Sequence, residues 1–503
     1  MLVGAGQVTE RWQGTGPAPD PASVRARAAR AALADCGAAE IAGAIDTVVV
    51  IRTMADSVPG APQPFGRCAN PPATLAADLG LVPARCVYSA VGGDQPQALV
   101  NEAAAAIFAG EARAVLIAGS EATAALKTAT RLDQLLDWSR SADAAMEDRG
   151  LGAPLLSAYE LANGLGAPVI TYPAFEHALR GRWGLSRGDH AARMAARWAQ
   201  FSSIAAANPD SQFPYARTPD YLMTASAENY PVADPYLKWH VAQDAVNQSA
   251  ALVMMASAEA DRLGIDPARR VHLHGHAQAA DATPAARPDL SRSRPMELVL
   301  AQAIAMSGKA AQDMAQIDLY SCFPCAVLLA AEALGIEGGA VPLTVTGGLP
   351  FFGGPGNSYS LHAIATMMAR LRAAPGSFGL VLANGGFLSK LAAGVYSTTP
   401  PEGWAPQSSA ALQARIDAEP GPPLLNEDCA GRIESYSVSF TKGVPARGYV
   451  FVRNAEGGRA LARVARDDAA TLHALLTRDP LAAPVRIAHR EGRNFVQALG
   501  DAV

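Results

Sequence analysis

No stretch of the chain offers the roughly twenty consecutive apolar residues that a membrane-spanning helix needs, although half of its 503 residues are hydrophobic. A membrane is therefore not an expected partner. Nor is there a basic stripe. Lys and Arg total 41 against 46 Asp and Glu, the formal net charge is −5, and no basic run is interleaved with aromatics, so nucleic acid is not expected either. Cysteine is sparse. The six residues at 36, 68, 86, 322, 325 and 429 are scattered, which suits reduced thiols and a cytoplasmic location. The opening Met-Leu-Val-Gly-Ala-Gly-Gln-Val reads as a strand and turn, not as a signal peptide.

What the chain has is length for more than one domain and a repeating rhythm. Residues 1–125 alternate helix and strand. Val24–Leu33 and Gln97–Phe108 have helical patterning, and the continuous apolar runs after Ile45 and from Ala114 read as buried strands. Residues 126–240 lose this rhythm and read as a long covering insertion. From 241 it resumes, and its signals recur in the same order: Ala44-Ile45-Asp46 against Gln316-Ile317-Asp318, Gly92-Gly93 against Gly353-Gly354, and Val115-Leu-Ile-Ala-Gly against Val381-Leu-Ala-Asn-Gly. We read an internal duplication in an α/β layered fold. A Pro/Gly/Ser-rich linker at Thr398–Ser409 leads to a small β-rich domain over 411–503.

One stretch stands apart. Thr346-Gly-Gly-Leu-Pro-Phe-Phe-Gly-Gly-Pro-Gly-Asn-Ser is followed by helically spaced Leu361, Ile364, Ala365, Met368 and Leu371. Its glycines allow positive φ and close approach. Asn357 or Ser358 is the expected N-cap. A glycine loop opening a helix is a place where an oxyanion or phosphate can sit; it can equally be a tight turn that packs two helices.

Together with Gly92-Gly-Asp-Gln-Pro, Tyr320-Ser-Cys-Phe-Pro and Ala383-Asn-Gly-Gly-Phe-Leu-Ser-Lys, these features resemble the thiolase superfamily over roughly residues 1–400. Within it they resemble the type-1 thiolase-like proteins related to the sterol carrier protein thiolases, which carry an additional C-terminal domain. The resemblance implies a duplicated five-layer core. Its N-terminal half would be 1–125 with 241–270, its loop domain 126–240, and its C-terminal half 271–400. It also implies a CoA or acyl-CoA ligand with no covalently bound cofactor, and a homodimer built through the core.

The same resemblance shows what is missing. The position of the thiolase nucleophilic cysteine falls on Gly93, or on Gly92 if the loop is shifted. The Asn or His of the Asn-Glu-Ala-Phe or His-Asp-Cys-Phe motif falls on Tyr320, the Gly-His-Pro histidine on Gly354, and the second cysteine on Ala383. Without a thiolate no covalent acyl intermediate forms by that route. Without the histidine and second cysteine there is no matched proton relay. Backbone amides do not depend on side chains, so the oxyanion hole that the family builds from the positions of Gly93 and Gly385 is kept as N–H groups.

Further residues have alternative roles. Tyr320 is either a weak acid/base or a space filler. Cys322 is either a displaced nucleophile or a pocket neighbour, and Cys325 is a helix-core thiol. The Cys322–Cys325 pair and the alternating His272, His274 and His276 lack the further ligands a metal site needs, so no metal is expected. Cys86 reads as a strand-core residue and His362 as a satisfied helix histidine. Asn384 is expected to tie loops together, and Lys390 to meet a CoA phosphate or solvent. The functional expectation is an acetyl-CoA acetyltransferase-like protein that handles CoA thioesters but lacks ordinary thiolase activity. The alternatives are a retro-aldol lyase on a hydroxyacyl-CoA with Tyr320 as base, or a non-enzymatic binding module whose pocket Phe351 or Phe352 fills.

Overall fold

The computed structural model describes residues 1–500. The first half supplies β1 (Leu2–Thr9), β2 (Thr47–Val50), β3 (Arg85–Tyr88), β4 (Ala114–Ala122) and the short β5 (Glu147–Asp148). The region after it is mostly helical, with long helices at Pro168–Arg182 and Arg187–Ala207. It ends in two very short strands, β6 (Pro231–Ala233) and β7 (Tyr236–Leu237). Strand β8 (Asn247–Met255) then returns to the first sheet, whose order is β1-β8-β4-β2-β3-β5. Strands β4 and β8 are buried along their whole length, which is why they read as continuous apolar runs.

The second half supplies β9 (His272–Ala280), β10 (Met314–Leu319), β11 (Phe378–Gly385) and β12 (Lys390–Ser397), in the order β10-β11-β12-β9. The pairing senses repeat those of the first half. β1–β8 and β8–β4 are antiparallel and β4–β2 is parallel; β9–β12 and β12–β11 are antiparallel and β11–β10 is parallel. The duplication is thus real at the level of topology. The second sheet is two strands shorter because, among the described residues, none matches β3 or β5; at the place of β3 the Leu319 amide bonds the Leu343 carbonyl at 2.9 Å.

Local signals fix the helices between these strands. Asp20 and Ser23 form a reciprocal capping box before Pro21, and Asn70 caps the helix opened by Pro71. Helices Gln95–Phe108 and Tyr359–Ala373 lie between the two sheets, where Leu99, Val100, Leu361, Ile364 and Met368 share one core with Val115, Leu252 and Val381. Helix Pro21–Asp35 packs on the outer face of the first sheet, and Arg294–Ser307 and Pro324–Leu334 on that of the second. The result is five layers, helix-sheet-helix-sheet-helix.

The last domain holds β13 (Cys429–Thr441), β14 (Val444–Arg453), β15 (Arg459–Arg463), β16 (Pro484–Arg490) and β17 (Arg493–Leu499), with a helix at Ala469–Thr477 before β16. Its order β14-β15-β17-β16-β13 closes on itself through a β13–β14 pairing, which makes a small five-stranded barrel. The barrel is not confined to the residues after the linker. β6 bonds β13 at Ala233–Ser439 and so adds residues 231–237 of the covering region to its sheet. Two- and three-residue strands carry no readable period, which is why they were not expected.

Candidate active site

The two helices that follow glycine turns converge. The Gly92 amide donates to the side-chain oxygen of Asn357 at 3.2 Å, and the Ser360 hydroxyl reaches the Gly93 carbonyl at 3.4 Å. Asn357 also donates to the Arg52 carbonyl at 2.8 Å and to the Ser57 hydroxyl at 2.9 Å. These long-range bonds occupy its amide. Ser358 stands at the N-cap position of the helix beginning at Tyr359, one of the two places expected, but its side chain makes no capping hydrogen bond, and Gly356–Ser358 is a turn of 3₁₀ helix. The glycine stretch is anchored at its start by Asp318, whose carboxylate accepts from the Thr344 hydroxyl and the Val345 amide, both at 2.9 Å. Its middle is clamped by the covering region, with Gln212 donating to the Phe352 carbonyl at 2.7 Å.

Around Gly93 the packing leaves no room for a side chain. A Cβ placed on Gly93 would overlap the Tyr320 hydroxyl oxygen and lie 2.5 Å from the Asn384 carbonyl oxygen and 2.7 Å from Tyr320 Cζ. Tyr320 is 7% exposed, and its ring meets Tyr359 edge-on at 5.4 Å. Phe351 and Phe352 are buried too, but they do not fill this place: Phe351 stacks on Trp239 at 6.1 Å, and Phe352 meets Tyr359 and His362. The side chain set against Gly93 is Tyr320.

Gly385, at the end of β11, lies beside Gly92: a Cβ on Gly385 would be 3.2 Å from Gly92 Cα and would overlap Asp94 Oδ1. Asp94 thus stands between the two glycine turns. It was not singled out from sequence, although it directly follows Gly92-Gly93. Its carboxylate is buried, and Oδ1 accepts no hydrogen bond among the described residues. Burial raises its pKa, opposed by the ammonium of Lys390 at 3.8 Å. That ammonium is held by the Val91 carbonyl. Lys390 is therefore engaged within the protein, with its side chain partly exposed.

Asn384 donates to the Tyr172 hydroxyl at 3.0 Å and to Cys322 Sγ at 3.6 Å, while its own Oδ1 is buried without a partner. Tyr172 is the second residue that sequence reasoning missed. It comes from the covering region, and its hydroxyl donates to the Gly386 carbonyl at 3.1 Å and accepts from the Leu388 amide at 3.1 Å. No local pattern could have found it. Burial pushes the Cys322 thiol up to about 12 and holds the Tyr320 phenol well above its ordinary value. Both groups are neutral at physiological pH, so the site presents neither a thiolate nor a phenolate.

The structure brings Gly93, Tyr320, Cys322, Asn384, Gly385 and Lys390 together. Gly354 sits one step away: its amide donates to the Gln243 carbonyl at 2.8 Å, and the adjoining Ala242 amide donates to the Cys322 carbonyl at 3.0 Å. His362 bonds Gln7 at 2.8 Å, and burial lowers it to about 3, so it is a neutral helix histidine. His274 bonds the Thr399 carbonyl, Cys325 lies buried beside Tyr236, and no group of three potential metal ligands exists among the described residues.

Two α/β halves with glycine-opened helices meeting at their junction define the thiolase fold. Neither a protein-family model nor a curated protein matches the sequence. Solved structures do. A monomeric SCP2-thiolase-like protein type 1 from Mycobacterium smegmatis is 35% identical, with 98% of each chain covered and a TM-score of 0.83. The chain belongs to the SCP2-thiolase-like proteins. The Ltp2-ChsH2(DUF35) aldolase, 19% identical, covers 79% of this chain and 97% of that one at a TM-score of 0.58. An acetyl-CoA acetyltransferase from Syntrophomonas wolfei, 17% identical, covers 79% and 98% at 0.54. These last two share the fold.

Proposed function

We propose that this protein binds CoA or an acyl-CoA thioester in its thiolase-like site and does not cleave it by thiolysis. The observation that carries this reading is the contact between Tyr320 and Gly93: the volume in which a nucleophilic side chain would begin is taken by a phenol. Two physical arguments support it. The one nearby thiol, Cys322, is held protonated and is poorly nucleophilic. The carboxylate of Asp94 beside Gly385 would oppose the negative charge an oxyanion hole must collect. Calorimetric titration of the protein with CoA and acetyl-CoA tests the binding half, and saturable binding is expected. Heats indistinguishable from dilution at millimolar ligand would remove it.

A second reading rests on Asp94 Oδ1, which is buried, accepts no hydrogen bond among the described residues and faces the Lys390 ammonium at 3.8 Å. Retro-aldol cleavage of a hydroxyacyl-CoA needs a base and no cysteine. The buried phenol of Tyr320 is a poor base, whereas Asp94 is the one carboxylate at the site. Under this reading an Asp94→Asn variant loses cleavage while Tyr320→Phe keeps it; activity surviving in Asp94→Asn would exclude it.

We further infer a monomer acting in the cytoplasm. β5 pairs with β3 and covers that edge of the first sheet, Glu147 meets Arg85 at 2.7 Å, and the Mycobacterium smegmatis relative is described as monomeric. No helix among the described residues is long and apolar enough to cross a membrane, and all six cysteines are unpaired.

A further inference from the structure

The C-terminal barrel carries a groove that the thiolase-like site does not use. It has a volume of about 480 Å³ and lies along β14, β15 and the start of β17, with Gly164 of the covering region as one wall. Four arginines line it, Arg447, Arg463, Arg466 and Arg493, together with the rings of Tyr449 and Phe495, and no acidic residue does. In a chain of net charge −5 this is a concentrated positive field.

None of the four guanidinium groups makes an ion pair among the described residues. Arg463 sits deepest. Its Nη2 donates to the Ala162 carbonyl at 2.7 Å, its Nε is buried with no partner, and its guanidinium lies 5.8 Å from the Phe495 ring centre. Gly164 makes this approach possible: at φ +87° it has no Cβ, which would lie 2.9 Å from both Arg463 Nη2 and Tyr449 Cε1. Burial and the charges of Arg493, Arg466 and Arg447 all disfavour the Arg463 cation, so an anion placed in the groove relieves a standing repulsion.

We propose that this groove binds a phosphorylated nucleoside. Guanidinium groups take phosphate oxygens through paired, charge-assisted hydrogen bonds. The aromatic face supplies a surface on which a base can stack. Small five-stranded barrels of this kind bind nucleotide polymers on the face of their second and third strands, and the groove lies on that face. The volume suits one nucleotide-sized ligand, and the wall at Gly164 and the acidic net charge favour that over a polynucleotide.

A free nucleotide and the nucleotide head of a coenzyme thioester carry the same chemistry. ADP, adenosine 3′,5′-bisphosphate and CoA are therefore titrated separately into the full-length protein at low ionic strength, alongside inorganic phosphate and a single-stranded oligonucleotide. ADP binding is expected whether or not the thioester reading holds. Arg447→Ser and Arg493→Ser alter exposed side chains that make no hydrogen bond or ion pair among the described residues, so the fold should persist. Each is expected to weaken ADP binding about tenfold or more, with unchanged thermal denaturation of the free protein. CoA binding that falls with ADP binding in these variants places the coenzyme head in this groove; CoA binding that does not fall assigns the groove to free nucleotides. The proposal is overturned if ADP and the bisphosphate do not bind, or if both variants bind them as the parent does. It is also overturned if inorganic phosphate binds as tightly, or if the oligonucleotide binds far more tightly than any mononucleotide.

Discussion

Tyr320 and Gly93 share one volume. The phenol hydroxyl of the first lies where a side chain on the second would begin, and the Asn384 carbonyl closes the same space from β11. Gly93→Ala is therefore expected to destabilise the protein by about 1–3 kcal/mol, the usual cost of overpacking a filled core. Adding Tyr320→Phe should recover part of this and not all, because the Asn384 oxygen at 2.5 Å remains. Urea denaturation of the single and double variants measures both. Full recovery would mean that the hydroxyl alone sets the limit.

Lys390 and Asp94 make a second test. Lys390→Met leaves the Asp94 carboxylate buried beside Gly385 without its cation. A loss of about 1–3 kcal/mol at pH 8 is expected. The sign of its pH dependence follows from the raised pKa of Asp94. A carboxyl whose folded pKa lies above its unfolded value contributes stability that is full below the unfolded pKa and lost as pH rises through the folded one. Removing Lys390 raises the folded pKa further, so the deficit should be larger at pH 8 than at pH 5, and Asp94→Asn in the same background should reduce it. A deficit that is flat with pH would assign the loss to packing of the lysine stem.

Glu121, at the end of β4, is 3% exposed and accepts from the Met54 amide at 2.7 Å. Burial raises its pKa from 4.5 to about 8. Its contribution to stability is full below pH 4.5 and declines as pH rises through about 8. Glu121→Gln, which is neutral throughout, should flatten the stability-against-pH curve across that window. An unchanged slope would place the titration elsewhere.

The covered edge of β3 predicts a monomer. Light scattering should return a mass near 52.0 kDa across a tenfold concentration range. A mass of twice that value would show that β5 does not close the edge to self-association.

How much of this was legible before the structure depended on distance along the chain. The buried strands at Thr47–Val50 and Ala114–Ala122 and the helix at Gln95–Phe108 were readable because hydrophobic patterning is local. The duplication was readable because glycine turns and strand ends recur in the same order. The site was legible only as a set of positions. That Gly93, Tyr320 and Gly385 come together followed from the resemblance; that Tyr320 fills the place, and that Asp94 and Tyr172 complete the cluster, are consequences of packing between segments over 200 residues apart. That Asn357 does not serve as the cap has the same cause, since it is drawn to Arg52 and Ser57, more than 290 residues away. The four arginines of the barrel were invisible because they are dispersed over β14, β15, the turn after β15 and β17, and only the barrel's closure gathers them.

The central claim is that a thiolase fold here holds a thioester without the chemistry to cleave it. The most direct measurement is to incubate the purified protein with acetoacetyl-CoA and free CoA, and to follow the thioesters by chromatography. Acetoacetyl-CoA is expected to be recovered uncleaved at every protein concentration. Acetyl-CoA formed in proportion to the protein, and lost in a Cys322→Ala variant, would contradict it.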